Sequence, residues 1–117
     1  MPIIDVTCSP RVDETSRRLL ADLLPDIVSR AVACRDEPYD GHLQPGDVMI
    51  RFRDVRPDDR FDLDVVVEIH SKWTEDRATD RQSRVDCVTD EVARALPADH
   101  LVGVLLNLPV AAWAQSA

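Results

Sequence analysis

The chain has 117 residues, 44% of them hydrophobic and 31% charged, with a formal net charge of −8. That length suits one domain with a real core and falls short of two independent ones. The acidity argues against a nucleic-acid partner, because phosphate binding wants a surplus of Lys and Arg. No stretch approaches the ~18 apolar residues of a membrane helix, and the start lacks a basic-then-apolar signal pattern, so a cytoplasmic protein without a membrane partner is expected. Acidity leaves room for a small anionic ligand, since a few arginines in a pocket reverse the field locally. Cys8, Cys34 and Cys87 are widely spaced, with no CxxC and no clustered histidine. They read as reduced core or near-core residues, and no metal is expected.

The chain opens Met1-Pro2-Ile3-Ile4-Asp5-Val6. Methionine before a small residue such as proline is usually removed, which would leave the secondary amine of Pro2 as the terminus. An α-amino group titrates near pH ~8, and burial or nearby cations lower that value towards the working range of a general base. The competing reading is a proline that begins an edge strand, where its missing N–H does no harm.

Residues 2–8 read as a strand with Ile4, Val6 and Cys8 on one face. From about 13 to 32 the pairs Leu19/Leu20, Leu23/Leu24, Ile27/Val28 and Ala31/Val32 form the stripe of an amphipathic helix. Pro25 falls inside it and is expected to kink or divide it. A polar loop covers 35–46. Residues 47–54 alternate strictly, Val48, Ile50 and Phe52 against Met49, Arg51 and Arg53. After a charged turn, residues 61–70 carry Val65-Val66-Val67, a central strand covered on both faces. Thr79-Asp80-Arg81-Gln82 fits a capping box, opening a helix with Val85, Val88, Val92 and Leu96 on its buried stripe and a stop at Pro97. Residues 101–108 form a final apolar strand.

The order is β-α-β, turn, β-α-β: an α/β (α+β) domain spanning 1–117. Its tandem halves, about 1–57 and 58–108, would build a four-stranded mixed sheet with two helices on one face, followed by a tail at 109–117. The opposite face is expected to expose Val, Ile or Leu from several strands and to serve for association.

The Met-Pro start, the paired β-α-β units and the open sheet face resemble the tautomerase superfamily. The length suits its fused members, such as macrophage migration inhibitory factor, 5-carboxymethyl-2-hydroxymuconate isomerase, malonate semialdehyde decarboxylase and cis-3-chloroacrylic acid dehalogenase. The resemblance lies in Pro2-Ile3-Ile4, the approach from Arg11 to Glu14, the segment from His70 to Gln82, and Asn107 to Trp113. It implies a homotrimer with sites between subunits and no cofactor. Pro2 would shuttle a proton between the carbon and oxygen of a small keto or enol acid. Cationic side chains would grip the carboxylate and stabilise the developing enolate.

Within that resemblance the substrate-binding candidates are Arg77, Lys72, Arg51, Arg53, Asn107 and Trp113. Arg77 precedes the second helix, where a cation is mildly unfavourable by itself; its competing reading is a solvated pair with Asp76 or Asp80. Lys72, in His70-Ser71-Lys72-Trp73, is the only lysine. Arg51 and Arg53 share a strand face and compete with pairing to Asp64 or Glu68. Arg11 reads better as an exposed charge beside Asp13. His42, His70 and His100 share no metal-ligand spacing, although His42 lies in a loop that would border a pocket. Two other readings stand beside tautomerase. One is a dehalogenase, hydratase or decarboxylase, for which Tyr39 is the only available tyrosine. The other is a binding or structural trimer without catalysis.

Overall fold

The computed structural model describes residues 2–34 and 44–116. Met1, Tyr39 and His42 lie outside the described residues. The elements are β1 (Ile3–Cys8), α1 (Glu14–Ala31), a 3-10 turn (Pro45–Asp47), β2 (Met49–Asp54), β3 (Val65–His70), α2 (Glu75–Thr79), α3 (Arg81–Ala95) and β4 (Val102–Asn107). The four strands form one mixed sheet in the order β2-β1-β3-β4. β1 pairs with β2, and β3 with β4, in parallel, while β1 and β3 run antiparallel down the middle. Each half is thus a β-α-β unit, and the two units join through their first strands.

Alternation along the strands decides the two faces. Ile4, Val6 and Cys8 of β1 lie opposite Ile69, Val67 and Val65 of β3, and all six are buried under the helices. From α1 come Leu20, Leu24, Ile27 and Val28, from α3 Val88 and Val92. Leu24 is fully buried, so Leu24→Ala should cost about 2–5 kcal/mol in lost burial and residual cavity. Denaturant unfolding of the two proteins measures that difference.

Helix α1 begins where Asp13 Oδ1 accepts the backbone N–H of Ser16 at 2.8 Å. Pro25 sits inside it without dividing it: the amide it lacks costs one hydrogen bond to the turn before, and the buried stripe on either side holds the element together. The second helical region departs further from expectation. Thr74, not Thr79, caps it, taking the N–H of Arg77 on its hydroxyl at 3.1 Å. The Thr79 hydroxyl instead donates back to the carbonyl of Glu75 at 2.7 Å. The path breaks at Asp80, which leads into α3 with no side-chain cap. Cys87, expected near the core, is exposed, whereas Cys8 and Cys34 are buried.

The open face of the sheet does carry apolar side chains from several strands, as expected, with Ile3, Val66 and Leu105 beside Met49, but it is mixed and not uniformly apolar. Ile3, Asp5 and Thr7 of β1 share it with Met49, Arg51 and Arg53 of β2 and with His70, Glu68 and Val66 of β3. Charges therefore cross its centre. Of the three consecutive valines only Val66 turns this way, and it is half-buried while Val65 and Val67 are buried. The close run of valines hid an ordinary half-exposed alternation.

The far end of the sheet is tied by Asp64, which is only 4% exposed. Its carboxylate accepts from the Leu101 amide at 2.9 Å, the Ser9 hydroxyl at 3.2 Å and Arg11 at 3.2 Å. It thereby joins the end of β1 to the starts of β3 and β4. The Leu101 N–H foremost, with Arg11 and Ser9 helping, holds this carboxyl below its ordinary range. Its stabilising effect is complete above the unfolded carboxylate value of ~3.9 and is lost as pH falls through the lower folded value. The melting temperature of Asp64→Asn, measured from neutral pH downwards, should show less acid-induced loss than that of the parent.

Candidate active site at the amino-terminal end of the sheet

Pro2 is buried directly before β1, and its carbonyl accepts the N–H of Met49 at 3.1 Å. The antiparallel register pairs Ile3 with His70, and one further step sets Pro2 beside Ser71. The Ser71 amide turns the other way, to the carbonyl of Asn107 at 3.0 Å. Both backbones thus direct their hydrogen bonds away from each other. Such a non-bonded antiparallel pair brings Cα atoms to about 4.5 Å and side chains closest together. By alternation Pro2 and Ser71 share the helix-side face with Ile4 and Ile69. Ser71 is 3% exposed, and its hydroxyl has no hydrogen-bond partner.

Lys72 follows Ser71 and is exposed. Its carbonyl accepts from Arg77 Nη1 at 2.8 Å, while Arg77 Nε donates to the carbonyl of Val32 at 2.8 Å. Arg77 is fully buried. Its guanidinium clips the end of α1 to the segment that carries Ser71 and Lys72. The expected surface pairing with Asp76 or Asp80 belongs to Arg84 instead, whose guanidinium reaches both carboxylates.

A second polar group crosses the open face. Arg51 donates to both oxygens of Asp5, from Nε at 2.8 Å and Nη2 at 3.1 Å. His70 Nε2 lies 3.3 Å from the same carboxylate, and His70 Nδ1 lies 3.4 Å from Asn107 Nδ2. Of the two ring nitrogens, Nδ1 faces the Asn107 amide and Nε2 faces Asp5. Arg51 therefore finds its carboxylate in the neighbouring strand, and neither Asp64 nor Glu68 is that partner.

The site residues separate along the strands. Pro2, Ser71, Lys72 and Asn107 gather at one end. Arg51, level with Asp5, stands three residues away, about 10 Å. Arg53 is level with Thr7, about 16 Å from Pro2 at ~3.3 Å per residue. The tail returns to the site end, where the Trp73 N–H donates to the carbonyl of Pro109 at 2.8 Å. Trp113 follows on the exposed tail, its indole donating to Gln115 at 2.9 Å. Ser71 was missed in the sequence. Its signal, a hydroxyl among inward-facing apolar positions, emerges only once the register is known.

A groove of about 490 Å³ runs between α1 and α3, away from Pro2. Several of its charged groups pair with one another: Arg30 grips Glu91 through both terminal nitrogens at 3.2 Å, and Arg84 holds Asp80 at 2.6 Å. The Glu91 hydrogen bond, with Asp26 assisting, keeps the Arg30 guanidinium above its ordinary range.

No protein-family model matches the chain, and no curated protein does. Solved structures match it over nearly its whole length. The structure of N1, a member of the cis-3-chloroacrylic acid dehalogenase family, shares 22% identity and covers 92% of this chain and 74% of its own, with a TM-score of 0.59. FG41 malonate semialdehyde decarboxylase shares 18%, covering 92% and 82%, with a TM-score of 0.60. A macrophage migration inhibitory factor-like protein from Entamoeba histolytica shares 9%, covering 92% and 88%, with a TM-score of 0.62. The class is thus settled at the level of architecture: paired β-α-β units on a mixed four-stranded sheet. The chain has the tautomerase-superfamily fold.

Proposed function

We propose that this chain is a cofactor-independent tautomerase or isomerase of a small keto or enol acid, working as a homotrimer with Pro2 as its general base. The observation that carries this reading is the placing of Pro2. It is buried at the head of a central strand, beside an unpartnered hydroxyl and within one register step of the only lysine. Once Met1 is removed, the ring nitrogen is a secondary amine in surroundings that favour its neutral, basic form. It takes a proton from one atom of the keto–enol pair and returns it to the other, so nothing is consumed. Lys72 binds the substrate carboxylate. Arg77 fixes the segment on which Lys72 stands, Asn107 lines the same strand end, and a neighbouring subunit supplies Trp113.

Intact mass, followed by ketonisation of phenylenolpyruvate or 2-hydroxymuconate, tests this reading. The purified protein should be one methionine residue lighter than the full chain and should catalyse the reaction. A retained Met1 would defeat it, because an amide nitrogen is no base. Hydration of an acetylenic acid without ketonisation would move the protein to the hydratase and dehalogenase class. Lys72→Met should raise KM about tenfold, the scale of one lost charge-assisted hydrogen bond, with a smaller effect on kcat.

A further inference from the structure

We infer that Ser71 is a further catalytic residue of this site, its hydroxyl donating a hydrogen bond to the substrate oxygen of the keto–enol pair while Pro2 carries the proton. The inference rests on the proline reading above and adds the group that faces the oxygen.

Among the described residues, Ser71 Oγ is the one buried side-chain oxygen or nitrogen without a hydrogen-bond partner. Two other buried serines are provided for: the Ser9 hydroxyl donates to Asp64 at 3.2 Å and that of Ser29 to the carbonyl of Asp26 at 2.9 Å. A hydroxyl taken from water and left unpaired is costly, and native proteins rarely keep one without a use. Its inward-facing strand neighbours Ile69 and Val67 are apolar and buried, so an apolar side chain at position 71 would suit the fold as well. Continued one step beyond the Ile3–His70 pair, the register sets the serine opposite Pro2, in the pair type that brings side chains closest.

A donor fixed in advance in a water-poor position is the device that stabilises charge developing on oxygen. During ketonisation the enol O–H bond breaks as Pro2 takes the proton, and negative charge grows on that oxygen. A new C–H bond then forms as the protonated amine delivers the proton to carbon. Ser71 keeps its own proton throughout and strengthens its hydrogen bond as the charge appears.

The test compares the full chain with Ser71→Ala, Ser71→Thr and Pro2→Ala, using phenylenolpyruvate ketonisation and thermal unfolding. Ser71→Ala removes an unsatisfied group, so its melting temperature should equal or exceed that of the parent. Its kcat should fall about 10²-fold with little change in KM, and Ser71→Thr, which keeps a hydroxyl, should recover most of the loss. Parent-like kinetics in Ser71→Ala, alongside a crippled Pro2→Ala, would overturn the Ser71 assignment and leave the proline reading standing. A rise in KM alone, or a loss that follows a lowered melting temperature and is not recovered by threonine, would also overturn it. An inactive parent, or a fully active Pro2→Ala, would overturn both.

Discussion

Pro2→Ala is expected to lower kcat/KM for ketonisation about 10²-fold, the lower part of the range for a positioned general base. The loss should stop short of complete, because alanine still ends in an amine once Met1 is removed. It places that amine on an unrestrained backbone, however, and exchanges a rigid secondary nitrogen for a primary one. The fold should be little affected, since the main-chain contact of residue 2 is its carbonyl, held by the Met49 amide at 3.1 Å, and alanine keeps that carbonyl. A chain that retains Met1 should lose activity altogether. The pH profile supplies an independent check. A neutral amine acts only above its own titration, so kcat/KM should fall on the acid side in the parent, and that limb should move in Pro2→Ala. Equal rates and superimposable profiles would remove Pro2 from the chemistry.

Much of this architecture could be read from residue patterns, because both helices bury a regular stripe and β1 and β2 alternate cleanly. The failures have physical causes. Thr79 and Gln82 are correctly spaced for a capping box, yet docking of the Arg77 side chain starts the helical region one turn earlier at Thr74. The chain must then break at Asp80 to set α3 on its own line. The polar row on the open face was invisible because Arg51 meets Asp5 only through the parallel β1–β2 register, a contact between residues 46 positions apart. The proposed site was half legible. Pro2 announces itself by position and Lys72 by being the only lysine, but the orphaned hydroxyl of Ser71 exists only in three dimensions. Sequence spacing also left the placing of Arg53 open, and the register sets it level with Thr7, towards the opposite end of the strand.

Arg77→Ala is expected to produce the largest loss of stability of any charged-residue substitution in this chain, about 3–5 kcal/mol, read as a shift in the denaturant midpoint. The estimate combines two buried carbonyls losing their donors, at roughly 1–3 kcal/mol each, with the cavity left by a long side chain. Both donor distances are 2.8 Å and the residue is fully buried, so water does not readily replace the guanidinium. Arg77→Lys should recover only part of the loss, since one ammonium head cannot reproduce the fork that reaches Val32 and Lys72 at once. The same variants separate two roles for this residue. If Arg77 acts by holding the Ser71–Lys72 segment, the folded fraction of Arg77→Lys should show a lower kcat with a modest change in KM, because the donor and the cation move together. If its guanidinium also grips the substrate carboxylate, KM should rise about tenfold or more under conditions where the variant is fully folded. An unchanged unfolding midpoint in Arg77→Ala would overturn the clip itself, and a raised KM beside it would assign the buried arginine to the ligand.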